Sequence, residues 1–258
     1  MLLHSSLGDR RLWDGQVDAL AAQFRVVRYD ARGFGDSPLP GGSFSLADDL
    51  RALLDHLGLE RAVIVGNSMG GKVALEFTLI HPERVTALVL VGTALGGHED
   101  SPELERFDEQ EEALLEAGRI DEAVELNLRL WLKGPRRETD AVDPAARTRV
   151  AEMQRHAFDV QVEAYEQSPP PGPGAWLDPP AATRLGEIRV PTLVVVGDED
   201  VEDMLAIARQ LAAEIPGARK IVMPDTAHLP AFERPGEFNR VVIDFLAGVS
   251  GHPAAGNG

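Results

Sequence analysis

Ser68 stands at the centre of Gly66-Asn67-Ser68-Met69-Gly70, directly after the apolar run Ala62-Val63-Ile64-Val65 and directly before the helical pattern Lys72-Val73-Ala74-Leu75-Glu76-Phe77. The order is strand, forced turn, serine, helix. A strand-to-helix turn this sharp crowds the residues two positions either side of the serine against backbone, so glycine is needed at both. A serine here could simply cap the helix. The strand in front of it gives the hydroxyl a second use, as a nucleophile held up at a strand tip. A hydroxyl attacks poorly at neutral pH unless a neighbouring base takes its proton.

That base and the acid that orients it are expected further along the chain. Where such a turn is used, the serine comes first, then an acid, then a histidine, each on a loop after a later strand. Val190-Pro191-Thr192-Leu193-Val194-Val195-Val196 reads as a buried parallel strand that ends at Gly197-Asp198-Glu199-Asp200. Asp200 is preferred over Asp198 and Asp203 as the third residue beyond the closing glycine. Lys220-Ile221-Val222-Met223-Pro224 is a second short apolar strand, and the loop after it, Asp225-Thr226-Ala227-His228-Leu229-Pro230, carries His228. His228 would take the serine proton, while Asp200 would accept the other imidazole N–H and fix the tautomer. Negative charge developing on an attacked carbonyl needs two backbone N–H donors, and Met69, opening the helix after Ser68, would supply one.

The elements that must hold these residues alternate as in a doubly wound, mostly parallel sheet. Arg25 to Tyr29 reads as a strand. Ser45 followed by Asp48 forms a capping box for a helix whose Leu46, Leu50, Leu53, Leu54 and Leu57 repeat at helical spacing until Gly58. Val85 to Val91 is another continuous apolar strand, closed by Gly92. From Ala94 to Leu185 no strand is evident, and Ser101-Pro102 and Asp143-Pro144 each read as a helix start with proline at the first helical position. Ile120, Val124, Leu128 and Trp131 share one helical face, as do Val150, Met153, Ala157 and Val160. Residues 1–93 and 186–250 therefore read as a core, 94–185 as a helical cap inserted into it, 168–174 as a stiff Pro/Gly connector, and 251–258 as a disordered tail.

Composition narrows the field. The 258 residues suffice for one catalytic domain with an insertion and are too few for two large ones. Cysteine is absent, so there is no disulfide framework and no thiolate metal site. The formal net charge of −17, from 25 basic against 42 acidic residues, repels phosphate backbones and anionic lipid and argues against nucleic-acid or membrane partners. No secretion signal or spanning segment is apparent, so the expected location is cytoplasmic. No metal-ligand spacing stands out, and Asp108-Glu109-Gln110-Glu111-Glu112 reads as a solvated helix face. His98 and His156 read as surface or packed residues of the cap.

The chain resembles the α/β-hydrolase family over nearly its whole length. The resemblance rests on Leu2-Leu3-His4, Trp13, Tyr29-Asp30, the loop Arg32-Gly33-Phe34-Gly35-Asp36-Ser37, the elbow around Ser68, His81-Pro82-Glu83-Arg84-Val85, Pro191-Thr192-Leu193 and Ala227-His228, all in family order. It implies that the second oxyanion donor comes from the loop after the first strand, usually His-Gly followed by a variable residue. Here the loop reads His4-Ser5-Ser6, which assigns the donor to Ser6 with His4 bracing the loop and sets Ser5 where glycine is usual. The family also places a strand pair before that loop, and here the pair is missing. The expectation is that the natural chain starts upstream of Met1.

Serine, histidine and acid with an oxyanion hole imply acyl transfer through a covalent intermediate released by water. The resemblance is nearest to small carboxylesterases and 3-oxoadipate enol-lactonase-like hydrolases. It implies a small-molecule ester or lactone substrate, no cofactor and no metal; the oligomeric state, a homodimer included, is left open. The cap would roof the pocket, with Trp131, Phe158, Tyr165, Trp176 and Leu229 as candidates to touch substrate; cap-to-core packing is the alternative for the four aromatic residues. Three rivals stay open. Carbon-carbon bond hydrolases of the ring-cleavage-product type share a similar elbow but commonly place tryptophan where this chain has Leu229. A cofactor-free haloperoxidase or perhydrolase is the second, and a non-catalytic ligand receptor of the same fold is the third.

Overall fold

The computed structural model describes residues 1–137, 142–166 and 169–250; the expected tail and Ser168 of the connector lie outside the described residues. In chain order the strands are β1 (Leu2–Leu3), β2 (Gly42–Phe44), β3 (Ala62–Asn67), β4 (Val85–Val91), β5 (Pro171–Gly174), β6 (Thr192–Gly197) and β7 (Arg219–Met223). The main sheet is parallel, in the order β1-β3-β4-β6-β7. The α-helices are α1 (Asp14–Ala21), α2 (Leu46–His56), α3 (Met69–Ile80), α4 (Pro102–Glu116), α5 (Ile120–Asn127), α6 (Pro144–Tyr165), α7 (Glu202–Glu214), α8 (Pro230–Glu233) and α9 (Pro235–Ser250).

The central strands β4 and β6 read as unbroken apolar runs because both faces of the sheet are covered there. Along β4, Leu88 and Leu90 pack with Leu50 and Leu54 of α2, Leu75 and Phe77 of α3, and Ile207 and Leu211 of α7. The alternate residues Ala87, Val89 and Val91 pack on the other side with Trp13 and with Phe238, Val242 and Phe245 of α9. Leu50 and Leu54 are fully buried, which is worth about 2 kcal/mol each relative to exposure. The expected capping box forms, with the Asp48 N–H donating to Ser45 Oγ at 3.2 Å. Gly58, at φ +65°, follows the end of that helix.

Helices α4, α5 and α6 interrupt the sheet between β4 and β6, joined by a π-helical turn over Leu128–Lys133. Their starts use the expected caps: Ser101 Oγ accepts from Leu104, and Asp143 accepts from Ala145 and Ala146. Leu128, Leu132, Val150 and Met153 form an apolar cluster that also takes in Leu7, Leu12 and Leu229. The inserted helices thus pack over the loop after β1 and the loop after β7.

Two expectations are corrected. Pro171–Gly174, inside the stretch expected to lack strands, pairs in parallel with β2, Gly42 opposite Pro171 and Phe44 opposite Gly174. Proline lacks an N–H yet keeps an extended φ and a carbonyl, so it is tolerated in a two-stranded pair where every strand is an edge. Arg25–Tyr29 does not form a strand and leaves a single bridge between Arg28 and Leu2. Its neighbour β1 is only two residues long, too short to template a ladder. Among the described residues no helix is long and apolar enough to cross a membrane.

Candidate active site

Ser68 lies between β3 and α3 at φ 54° and ψ −114°, a conformation a side-chain-bearing residue adopts only under constraint. The constraint is visible at the two flanking glycines. A Cβ on Gly66 would sit 2.2 Å from the Gly70 carbonyl oxygen, and one on Gly70 would sit 2.4 Å from the Leu3 oxygen. The Ser68 N–H donates to Val91 at 2.9 Å, and its carbonyl accepts from Lys72 at 2.9 Å and Ala94 at 3.3 Å. Backbone bonding therefore pins the residue while the side chain remains at the strand tip.

The loops after β6 and β7 meet where Gly197 lets them touch, since a Cβ there would fall 2.1 Å from the Thr226 oxygen. Across that contact His228 Nδ1 lies 2.9 Å from Asp200 Oδ2 and 3.2 Å from Oδ1. Asp200 is fully buried and also accepts the Val201 N–H at 2.9 Å. Of the other two candidate acids, Asp198 is exposed, and Asp203 accepts the Ser101 N–H at 2.9 Å and faces His98 at 3.2 Å. The Asp200 carboxylate can only accept, so the contact favours the tautomer with the proton on Nδ1, which leaves Nε2 as the basic nitrogen. His228 itself is buried. Its N–H donates to the Trp131 carbonyl at 3.1 Å, Asn67 Nδ2 donates to its carbonyl at 3.2 Å, and the Trp131 ring lies 4.5 Å from the imidazole.

Glu233 ties this loop down from below. Its Oε1 accepts the N–H groups of Ala227 and Leu229, and its Oε2 pairs with Arg137. Burial pushes the Glu233 carboxyl above its ordinary range, with Arg137 pulling the other way. Among the described residues the Ser68 hydroxyl makes no hydrogen bond. It lines the same cavity, of about 220 Å³, as the His228 ring.

Met69 opens α3, so its N–H precedes the helix's own ladder and lies at the positive end of the dipole. Ser6 is exposed into the same cavity as Ser68. The loop carrying it is braced by buried His4, whose Nδ1 donates to the Ser5 carbonyl at 2.8 Å and whose Nε2 accepts the Ala31 N–H at 2.9 Å. Burial holds the His4 imidazole below its ordinary pKa, consistent with a neutral ring in both roles. Ser5 does not leave a gap where glycine is usual: its Oγ accepts the Leu7 N–H at 3.2 Å. Asp30 positions the opposite loop, accepting the N–H groups of Arg10 at 2.8 Å and Asp36 at 3.0 Å and pairing with the Arg10 guanidinium.

Ser6, Ser68, Trp131, Phe158 and His228 share the cavity wall; three other expected contacts do not. Tyr165 is 61% exposed at the end of α6. Trp176 is 44% exposed, with Lys72 Nζ 3.6 Å from its ring centroid, so its π face is satisfied at the surface. Leu229 is buried in the apolar cluster with Leu128 and Leu132. The helix face expected to be solvated is exposed at Asp108, Glu109, Gln110 and Glu112, but Asp108 and half-buried Glu111 also line the cavity. The missed signal is helical spacing: Leu104, Phe107, Asp108 and Glu111 lie at i, i+3, i+4 and i+7, so the acids continue the face that Leu104 and Phe107 bury. Asn127 and Gln154 were missed as well. His156 Nε2 lies 2.9 Å from the Gly35 carbonyl, outside the cavity wall. Among the described residues, one group, His98, Asp100 and Asp203, brings three potential metal ligands within 4.8 Å, and none of them lines the cavity.

Residues 1–241 match the profile of the alpha/beta hydrolase family. The chain belongs to that family. This hydrolase is 33% identical over 255 residues to a 2-hydroxy-6-oxononadienedioate/2-hydroxy-6-oxononatrienedioate hydrolase of Paraburkholderia phymatum, covering 95% of this chain and 86% of the relative. Its fold is similar to that of an enol-lactonase from Burkholderia xenovorans, with TM-score 0.75, 28% identity and 95% and 90% coverage of the two chains. A thermophilic esterase from Thermogutta terrifontis is similar at TM-score 0.69 and 28% identity, with 96% and 89% coverage.

Proposed function

We propose that this hydrolase cleaves a small carboxylic ester or lactone through an acyl-enzyme on Ser68. Ser68 Oγ attacks the carbonyl carbon as its proton passes to His228 Nε2, and Asp200 holds the imidazole and balances the imidazolium charge. The oxyanion takes hydrogen bonds from the Met69 and Ser6 N–H groups. Collapse expels the alkoxide, which takes the proton back from His228; water then repeats the attack and releases the acid. The observation that carries this reading is a strained serine at φ 54° sharing one cavity with an imidazole whose far nitrogen is 2.9 Å from a buried carboxylate. A cavity of about 220 Å³, below the roughly 300–1,000 Å³ of sites for drug-sized ligands, suits a small acyl group.

The second reading is carbon-carbon bond hydrolysis, favoured by the Paraburkholderia phymatum relative, whose name specifies a dioate substrate. Two features weigh against it. Leu229 stands where tryptophan is common in that group, and among the described residues neither lysine nor arginine lines the cavity to hold a carboxylate. The test is turnover of p-nitrophenyl butyrate and stoichiometric labelling by a fluorophosphonate probe, with Ser68→Ala abolishing both. Wild-type protein inert to ester and probe would refute the acyl-enzyme reading.

A further inference from the structure

The inserted helices give the cavity a chemical bias of its own. Helix α4 contributes Asp108 and Glu111, α5 contributes Asn127, and α6 contributes Gln154 and Gln161. Asn127 donates both amide hydrogens, one to Glu111 Oε1 and one to the Ala123 carbonyl at 3.0 Å, leaving only its carbonyl oxygen. Gln161 Nε2 donates to the Gly33 carbonyl at 3.3 Å. Gln154 is 3% exposed, lines the cavity, and its Oε1 has no hydrogen-bond partner. Gln154 Nε2 makes no hydrogen bond among the described residues either, so this amide can serve a ligand as donor or as acceptor. The charged groups that the inserted helices bring to the cavity are carboxylates, and among the described residues no lysine or arginine lines it.

We propose, building on the hydrolase reading above, that the part of the substrate facing the inserted helices carries a hydrogen-bond donor, above all a protonated amine, held by the carboxylates of Glu111 and Asp108. Carboxylate-bearing substrates are turned away by the same groups. Burial pushes the carboxyls of Glu111 and Asp108 above their ordinary range, the direction a nearby cation would reverse. The formal net charge of −17 adds a long-range bias of the same sign. Specificity of this kind is a difference between substrates, supplied as much by repulsion of the wrong charge as by attraction of the right one.

The experiment compares three p-nitrophenyl esters of similar length, derived from heptanoate, 6-aminohexanoate and monoadipate, by kcat/KM at low ionic strength. The expected order is ammonium over methyl over carboxylate, with at least tenfold between the first and last. Glu111→Gln and Asp108→Asn each shrink that ratio, and Glu111→Lys inverts it; circular dichroism confirms that each variant is folded. Hydrolysis of all three esters at equal rates, or a preference unmoved by all three variants, overturns this inference while leaving the hydrolase reading intact. Failure of the wild-type protein to hydrolyse any of the three or to label at Ser68 overturns both.

Discussion

Replacing Asp200 by asparagine removes one negative charge and little else. The carboxylate is fully buried, 2.9 Å from His228 Nδ1. At an effective dielectric constant of about 20, a unit charge pair at that separation interacts with about 6 kcal/mol, close to four powers of ten in rate. That is the stabilisation the imidazolium loses as it forms. Asparagine adds a second fault, because its amide can donate to Nδ1 and force the proton onto Nε2, the nitrogen that must accept from Ser68. The assay is kcat/KM for p-nitrophenyl butyrate in Asp200→Asn, Asp198→Asn and Asp203→Asn, with thermal melting to confirm folding. Asp200→Asn should lose about 10⁴-fold, while exposed Asp198→Asn stays within about threefold of wild type. Asp203→Asn should lower stability by about 1–2 kcal/mol, through weakened contacts to Ser101 and His98, without a comparable loss of rate. A loss under tenfold in Asp200→Asn, with collapse in either of the others, would refute the assignment.

Gly66→Ala should cost about 3 kcal/mol or more, because its Cβ would meet backbone atoms of Gly70 at 2.2 and 2.5 Å that no side-chain rotation can move. Gly236→Ala, with nothing within 4 Å and a helical position, should be neutral or stabilising by up to about 1 kcal/mol; equal urea midpoints for the two variants would count against the crowded-elbow argument. His4 supplies the pH prediction. Its folded pKa lies below 6.5, so as pH falls through that value the unfolded chain takes up a proton the fold declines. Stability is lost on acidification, by at most about 1.4 kcal/mol per pH unit from this group. The midpoint of the His4 ring resonances should lie below 6.5; a midpoint at or above 6.5 would show that the brace is absent.

The parts of the site that were legible in the sequence are those set by local geometry. Strand, glycine, serine, glycine and helix follow one another within a dozen residues around Ser68, and every clash that requires the glycines involves main chain. The strand end before Asp200 was legible because helices on both sides of the sheet make β6 a fully buried apolar run; β7, before His228, is an edge strand with exposed Arg219, Lys220 and Val222, and only its short apolar stretch and the loop after it marked the place. Illegible features depended on what the far side of a residue meets. Asp108 and Glu111 look like a solvated face because a polar cavity and bulk water select the same residue types. Trp176 and Tyr165 carry aromatic rings that nominate them for a pocket, yet a lysine over one ring and a helix end near the other leave both at the surface. Pro171–Gly174 hides a strand because its partner asks for carbonyls and an extended backbone more than for alternating side chains.

The cavity is electrically lopsided, and the lopsidedness bears on the choice between the two hydrolytic readings. On the core side the amino end of α3 points unsatisfied N–H groups toward developing negative charge. On the side of the inserted helices stand the carboxylates of Glu111 and Asp108. A substrate with a carbonyl and a donor group has one favourable orientation, and it brings the carbonyl to Ser68. A dianionic chain has none: one carboxylate must lie against Glu111, or be drawn to the N–H groups that the reacting carbonyl needs. On the proposal above, that repulsion lowers kcat/KM for such a chain relative to a cationic one, by less at exposed Asp108 than at half-buried Glu111. On the reading proposed above, similarity to a dioate hydrolase therefore says less about the substrate than the charges on the cavity wall do.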